Sequence, residues 1–272
     1  MNEQNAMKPY VIGLDLGGTN SVFGIVDARG EIKATTAIKT KAYDNEEDYV
    51  NASIDALHII IDQVGGIEKI KAMGIGAPNG NFYTGSIDFA PNLPWAHDHS
   101  VPLAKMFSER LGGIPVGLTN DANAAAIGEM IYGVARGRKN FIMITLGTGV
   151  GSGIICNGQM VYGSDGLAGE LGHVIVRPEN GRLCGCGRRG CLETYCSATG
   201  VACANFATFS SPEAFVFFGG LTKAGDLLMK PLVRSYNEHV LKIYKGKAQF
   251  LLSALDGSSA AVLGASAVGW DL

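Results

Sequence analysis

A supersecondary unit that occurs twice constrains this chain more than any other feature. The first copy reads as an apolar strand (10–14), a glycine turn (Asp15-Leu16-Gly17-Gly18-Thr19-Asn20), a strand (22–26), a turn (27–30) and a third strand (31–36). The second keeps that order: 141–144, then Thr145-Leu146-Gly147-Thr148-Gly149, then 153–156, Asn157-Gly158 and 159–162. Asn-Gly between apolar runs signals a hairpin, because both turn positions need positive φ. A strand, a glycine turn bearing threonine and two more strands, found twice, predict a duplicated α/β lobe rather than two unrelated domains.

Helices separate the strands. Val50, Ile54, Leu57, Ile61 and Val64 recur at helical spacing, and Gly65-Gly66 ends that pattern. Residues 70–75 read as a buried strand. After the strand Val116–Thr119 an alanine-rich helix runs toward Tyr132, with Asn120 or Asp121 as its N-cap. The reading is an N-terminal lobe over 1–119 and a C-terminal lobe over 120–259. A closing helix near 260–272 is expected to pack back on the first.

Composition supports a large core and excludes some classes. Hydrophobic residues make up 47% of the 272 and charged ones 17%. A formal net charge of -3 gives no general attraction to nucleic acid or to an anionic membrane. The polar start and the early Asp15 do not read as a secretory signal. The uncharged stretch 140–164 is long enough for a membrane span, but its Gly, Ser and Thr content and its Asn157-Gly158 turn read as strand, loop and hairpin. A cytoplasmic protein is expected.

Each glycine turn can bring backbone N–H groups against an anion, because glycine has no side chain in the way. Thr19 adds a hydroxyl, and Asp15 at a strand end is placed to hold Mg²⁺, usually through water. Two cradles at equivalent places in a repeat suit the phosphates of one nucleotide. The Walker pattern is absent. Gly185-Cys186-Gly187-Arg188-Arg189-Gly190 satisfies G-x-G-x-x-G but lacks the strand and helix of a dinucleotide site.

That match lies within a denser pattern. His173, Cys184, Cys186 and Cys191 follow H-x10-C-x-C-x4-C, the donor set of a closed structural zinc site. Bunched cysteines without an export signal read as metal ligands rather than a disulfide framework. His97, His99 and His239 read as exposed loop or helix residues.

Taken together, these motifs resemble the ROK family of bacterial glucokinases. The matching segments are LGGTN (16–20), NLPW (92–95), TNDANAAAIGE (119–129), LGTGVGSGI (146–154), AGELGH (168–173) and CGCGRRGCLE (184–193). The resemblance implies a two-lobed actin-like (ribonuclease H-like) ATPase fold of α/β class, with a duplicated mixed β-sheet domain. It implies ATP-dependent phosphorylation of a hexose at the 6-hydroxyl, glucose first, with Mg²⁺, a structural Zn²⁺ in the 173–191 loop and a homodimer; the alternatives are a kinase for another hexose or an N-acetylhexosamine, or a catalytically silent sugar-binding relative. Asp121 is implied as the catalytic base, and Asn92, Asn120, Asp121, Glu170, His173 and Glu193 as sugar ligands. Asp15, Gly17, Gly18, Thr19 and Asn20, with Gly147, Thr148 and Gly149, would face the phosphates, and Gly219 and Gly220 the adenosine side. ROK repressors carry a helix-turn-helix before the first glycine turn, and with nine residues ahead of Tyr10 none is expected here. One departure stands out. A helical stretch that family members carry after Gly200 is missing, and the join near 203–209 is unlike the family.

Overall fold

The computed structural model describes residues 8–195, 198–255 and 257–272, without the side chains of 257 and 258. The described residues divide into two compact units. One runs through Tyr132 and takes in Leu255–Leu272; the other is Gly133–Ala254.

In the first unit, β1 (Tyr10–Leu16), β2 (Ser21–Asp27) and β3 (Ile32–Ile38) form an antiparallel meander. The helix α1 (Glu46–Gln63) follows, capped by Asn45, whose side-chain oxygen accepts the Asp48 N–H at 2.8 Å. Glu46, Glu47 and Asp48 in its first turn complement the helix dipole. Gly65 and Gly66 then take φ of +99° and +102°, which ends the helix. The chain returns as β4 (Ile70–Gly76), parallel to β1. Three short strands, β5 (Gly80–Asn81), β6 (Ser86–Asp88) and β7 (Ser100–Val101), make a separate small sheet. After α2 (Leu103–Arg110), β8 (Val116–Thr119) joins β4 in parallel and leads into α3 (Asp121–Ile131). The large sheet has the order β3-β2-β1-β4-β8. Its core packs Ile12, Leu14 and Phe23 of the strands with Val50, Leu57 and Ile61 of α1.

The second unit repeats this plan. β9 (Phe141–Leu146), β10 (Val150–Cys156) and β11 (Gln159–Met160) form the meander. Asn157 and Gly158 between the last two have φ of 53° and 78°, the double positive φ expected of Asn-Gly. α4 (Thr199–Ser210) leads directly to β12 (Ala214–Phe218), which is parallel to β9. α5 (Asp226–His239) and β13 (Gln249–Leu252) complete the order β11-β10-β9-β12-β13. Strand for strand this matches the first sheet. The duplication read from the two glycine turns is therefore a duplicated mixed sheet.

The closing helix α6 (Gly257–Trp270) packs on β1, β4 and α3. Glycines permit its approach. A Cβ on Gly13 would lie 2.3 Å from Val262 O, and one on Gly74 would lie 2.0 Å from Ala265 O. Where α3 crosses α6, a Cβ on Gly128 would lie 2.8 Å from Gly264 Cα. This packing explains why the division between units falls after Tyr132 rather than at the 119/120 break expected from sequence: α3 belongs with α6 and the first sheet. No described helix is long and apolar enough to cross a membrane.

Candidate active site

Parallel pairing sets Asp15 opposite Gly76 and Gly76 opposite Thr119. The carboxyl ends of β1, β4 and β8 thus form one row, the edge where open α/β sheets place ligands. Asn120 caps α3 by accepting the Asn123 N–H at 2.7 Å, and Asp121 is the first helical residue. Gly76 keeps the helix near the row, since a Cβ there would lie 3.0 Å from Ala124 Cβ and 3.8 Å from Asp121 Cα.

The two carboxylates in this row are perturbed. Burial pushes Asp15 up to about 6, and the negative charge of Asp121 adds to the shift. Asp121 still meets solvent, yet desolvation raises its carboxyl too, against the N–H of Ala122, which donates to Oδ1 at 2.7 Å. A divalent cation beside them would reverse both penalties.

The first glycine turn is anchored through buried hydroxyls. Gly17 N–H donates to Asn20 O at 3.0 Å, and Thr40 N–H donates to Thr19 O at 3.0 Å. The Thr40 hydroxyl meets Ser21 Oγ at 2.8 Å, and Ser21 Oγ meets Tyr49 Oη at 2.9 Å. Tyr49 stacks on Trp95, with ring centroids 4.6 Å apart. Trp95 closes the Asn92-Leu93-Pro94-Trp95 segment, and a Cβ on Gly18 would lie 3.1 Å from Asn92 O. Turn and segment border an open pocket of about 570 Å³ lined by Gly18, Thr19 and Asn92 together with Lys41 and His97. His97 Nδ1 donates to Pro94 O at 2.8 Å. Sequence reasoning did not single out Lys41; His97 is the exposed loop residue expected from sequence. No motif marks either one, and the link from Thr40 to Thr19 that brings Lys41 here is tertiary.

In the second unit, Gly147 N–H donates to Gly149 O at 3.1 Å, and Gly151 N–H donates to Thr145 Oγ1 at 3.2 Å. Phe218 pairs with Thr145, so the 219–220 turn sits at the same sheet edge as 147–149. Gly219 has φ of +110°, and a Cβ on it would lie 2.3 Å from Leu146 O. Gly147, Thr148, Gly149, Gly219 and Gly220 are therefore gathered at the carboxyl ends of β9 and β12.

The donor atoms of His173, Cys184, Cys186 and Cys191 all lie within 4.8 Å of one another. Cys186 Sγ is 3.8 Å from Cys191 Sγ, and Cys184 Sγ is 3.7 Å from His173 Nδ1. A tetrahedral zinc with bonds of about 2.3 Å to sulfur has ligand–ligand edges of about 3.8 Å. The four donors fit that ion and would fill its coordination, as in a closed structural site. Burial and then the Glu193 carboxylate push the Cys184 thiol up to about 12; its S–H donates to Glu193 Oε1 at 2.7 Å. Glu193 Oε1 is also 3.7 Å from His173 Nδ1, while Oε2 lies 2.6 Å from where a Cβ on Gly149 would stand. One carboxylate thus spans the cluster and the second glycine turn. Glu170 is exposed, at the head of the 171–173 turn that carries His173.

Residues 11–203 match the family model described as ROK family. The chain is a member of the ROK family. Among curated proteins this ROK chain is 33% identical to a glucokinase of Halalkalibacterium halodurans, over 96% of its own length and 94% of the relative's. It is 32% identical to an N-acetylmannosamine kinase of Shigella flexneri, over 79% of its own length and 70% of that enzyme's. The structure of a ROK glucokinase from Streptomyces griseus in complex with glucose and AMPPNP superposes with a TM-score of 0.78 at 29% identity, covering 97% of this chain and 100% of that one. The match to the Halalkalibacterium enzyme runs over 321 positions against a chain of 272 residues, so that enzyme carries residues with no counterpart here. The family match ends at Cys203, inside α4, eleven residues before β12 begins at Ala214.

A carboxyl raised above its unfolded-state value makes the folded state bind protons more tightly, so it costs stability as pH rises from about 4 through about 6. In magnesium-free protein, Asp15→Asn is expected to raise the thermal midpoint near pH ~7 and to match wild type near pH ~4; an equal effect at both would contradict a buried, ionisable Asp15. Wild-type protein is expected to carry equimolar zinc by metal analysis and Cys186→Ser to lose most of it. Wild type that takes up no zinc would remove the metal assignment.

Proposed function

We propose that this ROK-family chain transfers the γ-phosphoryl group of ATP to the 6-hydroxyl of a hexose, with glucose as the preferred acceptor. The observation that carries this is Asp121, set at the head of α3 beside the row that holds Asp15. The sugar oxygen attacks the γ-phosphorus as its proton passes to Asp121 Oδ. The new O–P bond forms while the bond to the β–γ bridging oxygen breaks, releasing ADP. A carboxylate with a raised pKa is the better proton acceptor, and phosphoryl transfer asks otherwise for positioning and charge neutralisation.

The remaining roles follow residue by residue. Mg²⁺, held by Asp15, would neutralise phosphate charge. Backbone N–H groups at Gly17, Gly18, Thr19 and Asn20 and at Gly147, Thr148 and Gly149 suit phosphate oxygens, and Gly219 and Gly220 the adenosine side. Asn92, Asn120, Glu170, His173 and Glu193 suit the sugar hydroxyls. With its Nδ1 turned to the cysteine cluster, His173 has Nε2 left for a hydroxyl. Glucose as acceptor is supported by the Halalkalibacterium and Streptomyces griseus glucokinases. The match to the Shigella flexneri enzyme supports an N-acetylhexosamine as the alternative.

Asp121→Asn removes the proton acceptor but keeps the shape of the side chain. It is expected to lower kcat by about 10²-fold or more while glucose still binds in calorimetry. Turnover at the wild-type rate would refute the assignment of the base.

A further inference from the structure

Glu170 sits at the centre of an inverse γ-turn. Its φ of -72° and ψ of 52° lie close to that turn's minimum. Leu171 N–H closes the turn on Gly169 O at 2.7 Å, and Gly169 takes φ of +99°, a conformation open to glycine. A three-residue turn of this kind is weak alone, yet here it carries an exposed carboxylate whose direction matters if it meets a substrate.

A buried side chain braces it. Ser152 on β10 is 2% exposed. Its hydroxyl donates to Gly169 O and accepts the Leu171 N–H at 3.2 Å, so one oxygen grips the backbone on both sides of Glu170. A buried hydroxyl is costly unless bonded, and here both its donor and its acceptor capacity are used. The next turn residue is also pressed on the same strand, since a Cβ on Gly172 would lie 1.9 Å from Val150 O. Ser152 pairs with Ile144 of β9, and β10 is paired to β9 along Val150–Ile155, which makes it a stiff support.

We infer that Ser152 is a positioning residue that fixes the direction of the Glu170 carboxylate toward the sugar. This rests on the proposed role of Glu170 as a sugar ligand. Ser152 itself touches no substrate and acts on sugar affinity.

The test is equilibrium glucose binding by calorimetry on zinc-loaded, full-length wild type, Ser152→Ala, Ser152→Thr, Glu170→Gln and the Ser152→Ala/Glu170→Gln double variant. Ser152→Ala is expected to weaken glucose binding about fivefold to tenfold, the scale of one lost hydrogen-bond anchor. Ser152→Thr, which keeps the hydroxyl, is expected to recover most of it. In the Glu170→Gln background, Ser152→Ala is expected to add nothing. Equal weakening in both backgrounds, or wild-type affinity in Ser152→Ala, overturns the inference. If Glu170→Gln binds glucose as wild type does, the sugar role of Glu170 fails and the inference falls with it. If Ser152→Ala does not fold, Ser152→Cys, which keeps the volume but offers only a weak S–H donor, makes the same comparison.

Discussion

The parallel pairing of β1 with β4 and of β4 with β8 is the constraint on which the first unit's chemistry depends. It sets Asp15, Gly76 and Thr119 in one row, and the chain leaving Thr119 turns at once into α3 with Asp121 at its head. A shift of one residue in either pairing would turn the alternating side chains to the opposite face and separate the two carboxylates. The row is held from behind by α6, whose backbone lies against Gly13 and Gly74 where any side chain would collide with it. The site therefore needs glycines that never meet a ligand. Burial and, after it, the charge of Asp121 raise the carboxyl of Asp15, and a magnesium ion bound there would offset that cost.

The second unit solves a different problem. Its glycine turns have no acid of their own at the strand end, because Thr145 stands where the first repeat has Asp15. The acid comes instead from the cysteine loop. Glu193 places one oxygen on Cys184 and the other against Gly149, so the loop that gathers four metal donors also borders the glycine turn. A structural ion in such a place has a reason to exist in a sugar kinase: it would hold carboxylates of a long, glycine-rich loop at fixed positions without taking part in the reaction.

Much of this was legible in the sequence, for identifiable physical reasons. Strand–turn–strand units marked by glycine and Asn-Gly are local signals, and the duplicated sheet follows from finding them twice. The α1 boundary rests on Gly65-Gly66, and the gathering of His173 with three cysteines on a spacing too tight for core thiols. The association of α3 with α6 was not legible, because it is a long-range packing of small residues with little periodic signature. The same holds for the Thr40–Ser21–Tyr49 chain beneath the first glycine turn and for the Ser152 brace, each formed by ordinary hydroxyls that only tertiary structure brings together.

The second unit is the one in which the family match ends, at Cys203 within α4. α4 runs directly into β12, and the glycine turns, the row of carboxyl ends and the cysteine loop are all formed in a chain shorter than the Halalkalibacterium match. On the proposed function, these parts suffice for phosphoryl transfer to a hexose. The direct measurement is phosphorus and carbon NMR of a mixture of wild-type zinc-loaded protein, ATP, Mg²⁺ and glucose. Glucose-dependent ADP and a phosphate ester on carbon 6 are the expected products. Folded, zinc-loaded protein that binds glucose yet forms no sugar phosphate from any hexose would contradict the proposed function.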